Sequence, residues 1–219
     1  MFVAMAGGVG GARLAYGLSR VLPADQLLVA VNTGDDFEYM GLAISPDVDT
    51  VCYTLAELED LERGWGRADE TWRFMDTLAA LGQPGWFRLG DGDLALHVLR
   101  TQMKATGVPL SAVTRQVRTA MGVRCNVVPM TDDSVETIVE TTDGALAFQD
   151  YFVRRQCQPV VRGFEYRGAA KAAASAELLD ALRSPTLEGV ILCPSNPWLS
   201  IAPMLAMAEL RTALQACPM

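Results

Sequence analysis

The apolar positions along the chain fall into two kinds of run. Phe2 to Ala6 and Gln26 to Val31 are short and almost continuously apolar, the pattern of strands buried on both faces. Between them Leu14, Leu18 and Val21 recur at helical spacing, after the segment Gly7-Gly8-Val9-Gly10-Gly11. Strand, glycine turn, helix, strand is the opening unit of a doubly wound parallel sheet. Farther on, the periodicity predicts helices over 47–61 (Val51, Leu55 and Leu58 on one face), 69–81 (Trp72, Met75 and Leu78 inward), 91–106, and 111–121 with Ser111 as N-cap. Cys125 to Pro129, Glu136 to Thr142, Ala145 to Phe152 and Val160 to Tyr166 read as strands, with Asp143-Gly144 as a hairpin turn. An alanine-rich helix over 169–182 follows, then a buried strand, Gly189 to Cys193, that ends at Pro194-Ser195-Asn196-Pro197. The last helix, Pro203 to Ala216, stops at Cys217-Pro218-Met219. The expectation is an α/β fold: one domain over residues 1–219, a mainly parallel sheet with helical insertions and a β-hairpin. An apolar-faced final helix with no strand after it reads as the close of a C-terminally truncated sheet.

Composition narrows the function. The chain has 219 residues, 50% of them hydrophobic, and a formal charge of -8. That is enough chain for one substantial core, and the acidity argues against nucleic-acid binding. No apolar run approaches the roughly 20 residues that cross a bilayer, which argues against the membrane. Met1 to Ala6 lacks a basic flank and a cleavage signal, so it is a first strand rather than a signal peptide. Five scattered cysteines, 52, 125, 157, 193 and 217, form no C-x-x-C pair, which fits a cytoplasmic protein better than a disulfide framework or a structural zinc site.

Five segments could carry chemistry. Glycines at 8, 10 and 11 let main-chain N–H groups approach an anion at a helix start; they serve equally in a tight structural turn. The segment is not a Walker loop, and Arg13 stands where the dinucleotide fingerprint wants its third glycine. Asn32-Thr33-Gly34-Asp35-Asp36 follows the second strand, where Asn32, Asp35 and Asp36 can meet a ribose or a cation, or form a solvated acidic turn. Ser45-Pro46-Asp47-Val48-Asp49-Thr50 holds two carboxylates one residue apart, suited to a hard cation and equally to helix capping. Arg88-Leu89-Gly90-Asp91-Gly92-Asp93 runs into His97 and Arg100, and Asp93, His97 and Arg100 share a helix face. Ser195 and Asn196 stand where a base edge or ribose can be read, or where a strand simply turns into a helix. His97 is the sole histidine, so Ser-His and Cys-His catalysis have little choice of base. Transfer carried by positioning, metal and electrostatics fits better.

The ordered series GGVGGAR (7–13), VNTGDD (31–36), SPDVDT (45–50), RGWG (63–66), DETW (69–72), WFRLGDGDLALH (86–97), VPM (128–130), FQDYFVRR (148–155) and PSNPWLSIAP (194–203) resembles the 2-phospho-L-lactate transferase family of coenzyme F-420 biosynthesis. The resemblance implies a Rossmann-like fold, Mg²⁺, small-molecule substrates and a homodimer. The implied reaction moves a phospho-lactyl, phosphoenolpyruvyl or phosphoglyceryl group from a guanosine diphosphate donor to the ribityl hydroxyl of 7,8-didemethyl-8-hydroxy-5-deazariboflavin, releasing GMP. It makes Asp49 the catalytic and acceptor-binding residue beside the metal, Arg88 a second acceptor contact, and Asp60 a second acidic residue at the metal. In one unbroken helix Asp49 and Asp60 would lie about 16 Å apart, so that pairing requires a break between them. The donor would lie on the glycine turn, near Ser195 and Asn196, across a shared crevice from Asp49, with Asp91 and His97 at the substrates. Gly92 and Leu96 depart from the family's usual Arg and Thr, and relatives continue past the Ser-Asn-Pro segment. Two other readings stand beside this one: a nucleotide-sugar-binding regulatory relative of the gluconeogenesis-factor type, and a nicotinamide-dependent oxidoreductase.

Overall fold

A computed structural model describes residues 1–83 and 85–217. In chain order the elements are β1 (Phe2–Ala6), α1 (Gly8–Val21), β2 (Leu27–Val31), β3 (Phe37–Tyr39), β4 (Leu42–Ile44), α2 (Pro46–Leu55), α3 (Arg73–Ala80), α4 (Asp91–Ala105) and α5 (Leu110–Ala120). They continue as β5 (Asn126–Pro129), β6 (Glu136–Thr141), β7 (Gly144–Ala147), β8 (Val161–Arg167), α6 (Ala176–Leu182), β9 (Gly189–Leu192), α7 (Ala202–Ala206) and α8 (Ala208–Gln215). The central sheet has the order β5-β2-β1-β9 and every neighbouring pair is parallel. The predicted α/β class and mainly parallel sheet are therefore present. The hairpin is present too: β7, β6 and β8 form a separate antiparallel sheet, with Gly144 at φ 109° in the turn.

Alternation along β1 builds two cores from one strand. Val3 and Met5 pack with α6 and the α7–α8 region through Leu178, Met204, Met207 and Leu210. Ala4 and Ala6 face α1 and α2, where Ala12, Ala15, Val48 and Val51 meet them. Small residues on both sides of that second layer let α1 lie close to the sheet. Because all four strands run the same way, their carboxyl ends share one edge, and the segments after β1, β2 and β9 meet there.

Several predicted boundaries shift, each for a local reason. The helix expected over 47–61 ends at Leu55, because Glu57 takes φ 59° and turns the chain back toward a Glu59–Arg67 bridge. The 69–81 helix begins only at Arg73, and Trp72 stands at its cap rather than inward. Ser111 is not an N-cap: Pro109 is, and the Ser111 N–H and hydroxyl donate to Asp132 at 2.6 and 2.9 Å. The strand expected to reach Phe152 stops at Ala147, before a wide helical turn over Asp150–Arg154. Gly168, at φ 86°, delays the alanine-rich helix to Ala176. The final helix is broken at Met207, whose ψ of 116° is extended. Val21 is 76% exposed and lies off the core face, and β9 is an edge strand with Leu192 56% exposed, not a buried one. The expected stop at Pro218 and Met219 lies outside the described residues.

Candidate active site

The glycine turn is tighter than its sequence implied. The helix starts at Gly8, so Gly10 and Gly11 lie inside its first turn, and a Cβ at Gly10 would stand 2.3 Å from the Pro194 carbonyl oxygen. At Gly11 a Cβ would meet Ser195 Oγ at 2.4 Å. These glycines are thus required for close packing of α1 against the turn after β9. Gly7 N–H donates to Ser195 Oγ at 3.0 Å, and Gly8 N–H donates to Asp47 Oδ1 at 2.7 Å. Asp47, from α2, caps α1, which is where a carboxylate is welcome on a helix. Its other oxygen accepts from Asn32 Nδ2 at 2.9 Å.

Asn32 is fully buried and joins the ends of β1, β2 and α2. Its amide nitrogen also lies 3.3 Å from both Asp35 Oδ1 and Leu199 O, while its oxygen accepts from Gly34 N–H at 2.9 Å. Burial raises the Asp47 carboxyl to about 6, against the hydrogen bonds from Asn32 and Gly8. Burial likewise lifts Asp36 to about 7, although Ser45 Oγ donates to it at 2.8 Å. Asp35 is raised well above the ordinary range by burial and then by the charge of Asp47. Four acidic groups (35, 36, 47 and 49) therefore carry raised pKa values beside one sheet edge.

Asp49 points the other way. Two residues along a helix are a rotation of about 200°, so α2 presents Asp47 to the glycine turn and Asp49 to α4. The expectation that Asp49 faces the glycine turn across an open crevice is therefore corrected. It is 4% exposed and paired with Arg100, itself 2% exposed, whose guanidinium also donates to Ala43 O at 3.2 Å. His97 lies between two carboxylates, its Nδ1 3.7 Å from Asp49 Oδ2 and its Nε2 3.2 Å from Asp93 Oδ2. Tyr53 OH donates to Asp93 Oδ1 at 2.6 Å. Asp49 Oδ2 and His97 Nε2 are buried without a well-aligned hydrogen-bond partner. Burial raises Asp49 despite Arg100 and His97, whereas at Asp93 the neighbouring His97 and the Tyr53 hydroxyl outweigh burial and hold the carboxyl low. Asp49, Asp93 and His97 each offer a ligand atom within 4.8 Å of the others, so a metal ion could be held there.

Other expected residues are placed differently. The helix does break before Asp60, yet Asp60 is outside the Asp49 group. Its Oδ1 accepts from Glu62 and Arg63 N–H at 3.0 and 2.8 Å, and Oδ2 pairs with Arg63 at 2.9 Å. Asp91 caps α3, accepting from Arg73 and Phe74 N–H at 3.2 and 3.1 Å and from the Thr71 hydroxyl, which holds its carboxyl low. In return Glu70 caps α4 through Gly92 and Asp93 N–H, at 2.7 and 2.8 Å. Asn196 Oδ1 caps the turn over Pro197–Ile201. Arg88 is exposed, its guanidinium 4.2 Å from the centre of the Trp72 ring. A cavity of about 370 Å³ lies at the opposite edge of the sheet, by the starts of β2 and β5. Tyr53 was missing from the expected site, while Asp93 and Arg100 were named there only for the helix face they share with His97. The shared face of Asp93, His97 and Arg100 was a usable signal, and Tyr53 lies one helical turn after Asp49.

The family model for 2-phospho-L-lactate transferase CofD matches residues 2–219. A phosphoenolpyruvate transferase of Nocardia farcinica is 42% identical, over 97% of this chain and 66% of its own. The Streptomyces griseus protein of that name is 44% identical, over 97% and 68%. The one from Mycobacterium tuberculosis is 41% identical, over 96% and 69%. The chain thus spans about two thirds of the length of these relatives. A solved structure of a upf0052 family member from Bacillus halodurans superposes with TM-score 0.65 at 17% identity, covering 98% of this chain and 65% of that one, a likeness of fold. No helix among the described residues is long and apolar enough to cross a membrane.

Proposed function

Because the chain belongs to the 2-phospho-L-lactate transferase CofD family, we propose that it moves a phospho-acid group from a guanosine diphosphate donor onto the ribityl hydroxyl of 7,8-didemethyl-8-hydroxy-5-deazariboflavin, releasing GMP. The phosphoenolpyruvyl donor is favoured over the lactyl and glyceryl ones, because relatives above 40% identity carry that transferase name. The single observation that carries the reading is the Asp49 carboxylate. One oxygen is fixed by Arg100, and the other is buried without a hydrogen-bond partner at the metal-ligand group.

In this reading the hydroxyl oxygen forms a bond to the distal phosphorus, and the bond from that phosphorus to the bridging oxygen breaks. The electron pair leaves with GMP. Asp49 Oδ2 orients the hydroxyl and takes its proton, and Arg100 keeps the carboxylate in place. Tyr53 fixes Asp93, whose other oxygen lies 3.2 Å from His97 Nε2.

Mg²⁺ is the cofactor this reading includes. Two carboxylates and an imidazole at the spacing of one coordination sphere, with Asp49 Oδ2 left without a partner, fit a divalent ion. Asp49, Asp93 and His97 would hold it, and Asp60 would not. Bound there, it would supply positive charge to the diphosphate.

The test is incubation of the protein with the deazariboflavin, Mg²⁺ and each of the three guanylyl donors. GMP and the phosphodiester product should appear by mass spectrometry, fastest with the enolpyruvyl donor. Deazaflavin recovered unchanged with every donor would sink the reading.

A further inference from the structure

The cavity of about 370 Å³ at the far edge of the sheet takes no part in the reaction above. Its volume falls within the roughly 300–1,000 Å³ of small-molecule sites. The carboxyl ends of α1, α2 and α5 all border it. Its floor is apolar. Leu22, Leu55, Ala56 and Met121 pack on the core layer beneath yet stay only partly buried, while Val123 and Cys125 are buried. Apolar surface left facing water is what a ligand gains most by covering.

The rim carries an unbalanced positive charge. Glu57 Oε1 accepts from Tyr16 OH at 2.8 Å and lies 3.6 Å from Arg20 Nη1, so Arg20 and Glu57 offset one another. Arg124 is exposed and forms no ion pair among the described residues. Helix carboxyl ends bring partial negative charge, but here the protein answers most of it internally. The Cys52, Tyr53 and Thr54 carbonyls of α2 accept from the N–H groups of Ala56, Leu58 and Glu57. Those of Val117, Arg118 and Thr119 in α5 accept from Met121, Val123 and Gly122. Gly122, at φ 76°, makes that turn possible. What remains for a ligand is one uncompensated guanidinium at the rim of an apolar cavity.

We propose that this cavity is a second ligand site, for a small amphiphilic acid: a compact apolar body bearing one carboxylate. The body covers Leu22, Leu55, Ala56 and Met121. The carboxylate pairs with Arg124, whose planar fork suits it. Such a ligand touches none of the groups assigned to the transfer, and the site stands whether or not the transferase reading does.

The test follows binding of 2-naphthoate by its fluorescence, with the neutral 2-naphthalenemethanol in parallel. Wild type should bind the acid more tightly than the alcohol. Arg124→Ala should weaken the acid roughly 3- to 10-fold, the scale of a partly exposed charge-assisted pair, and leave the alcohol unchanged. Arg124→Lys should recover part of that loss, since the charge stays and the fork goes. Ala24→Trp, a bulkier side chain at the exposed lip of the cavity, should weaken both probes. Arg211→Ala removes the same charge from an exposed position outside the cavity and should leave both affinities alone. Thermal midpoints without ligand show that the variants are folded. An acid Kd within about twofold of wild type in Arg124→Ala or in Ala24→Trp overturns the site. Equal losses in Arg124→Ala and Arg211→Ala overturn it too, because they reduce the effect to net charge. So does a wild type that binds no 2-naphthoate.

Discussion

Asp47 and Asp49 are two residues apart in the first full turn of α2, and both are buried carboxylates with raised pKa values. Their uses diverge because a helix turns about 100° per residue. Asp47 faces α1 and is consumed by architecture: Gly8 N–H, Asn32 and the Ser200 hydroxyl hold it. Asp49 faces α4 and keeps one oxygen uncommitted among ionisable neighbours. A carboxylate whose hydrogen bonds are complete builds the fold; one whose bonds are incomplete is available for chemistry. Counting acids in SPDVDT would assign both to the same task.

The largest effect should come from Asp49→Ala. It leaves Arg100 buried without its partner, a change that typically costs about 3–5 kcal/mol. It also removes the group assigned to the attacking hydroxyl, for which loss of about 10²–10⁴ in kcat is the usual scale. Urea unfolding and GMP release measure the two losses. The milder Asp49→Asn, which keeps the shape, should retain more stability while activity stays low. Equal activity in that variant and wild type would erase the contrast between the two faces.

Asp47→Ala comes next. It strips the α1 cap and removes the shortest hydrogen bond of the buried Asn32 amide, a loss of roughly 1–3 kcal/mol. Denaturant midpoints should fall, while kcat measured on the folded fraction changes far less than in the Asp49 variants. A catalytic collapse without a stability loss would reverse the roles.

Asp36, bonded to the residue that begins α2, sharpens the contrast through pH. Its folded pKa of about 7 lies above the ordinary carboxylate value, so the native state binds the proton more tightly than the unfolded chain. Its stabilising contribution is complete below the unfolded pKa and is lost as pH rises toward 7. In Asp36→Asn, Tm should therefore depend less on pH between about 4 and 7 and be higher at pH 8 than in wild type. An unchanged pH dependence would mean that this carboxyl is not held protonated.

The smallest effect belongs to Asp91→Asn. Since Asp91 caps α3, initial rates should stay near wild type while the thermal midpoint drops slightly. A steep rise in the KM for either substrate would return Asp91 to the binding site.

The opening of the fold was legible because a doubly buried strand, a glycine segment and a 3.6-residue period each have one dominant reading. Helix ends were not. Leu58 stays in phase with Val51 and Leu55, so the periodicity runs straight through the reversal at Glu57. Ser111 is a strong capping residue, but Asp132, 21 positions away, takes its hydrogen bonds. In the site, the common face of Asp93, His97 and Arg100 follows from local spacing, whereas Asp49, the partner of His97 and Arg100, depends on how α2 packs beside α4. The second role of Gly10 and Gly11 was hidden for the same kind of reason: the turn that crowds them comes almost the whole chain later.

The exchange of carboxylates between Glu70 and Asp91 makes the beginnings of α3 and α4 mutually dependent. Neither can fray without exposing the other's amides, so the two should open and close as one cooperative unit rather than as separate fluctuations. The segment from α3 to α4 therefore behaves less like a surface loop than like a bracket, and any strain placed on it is transmitted to the helix bearing His97.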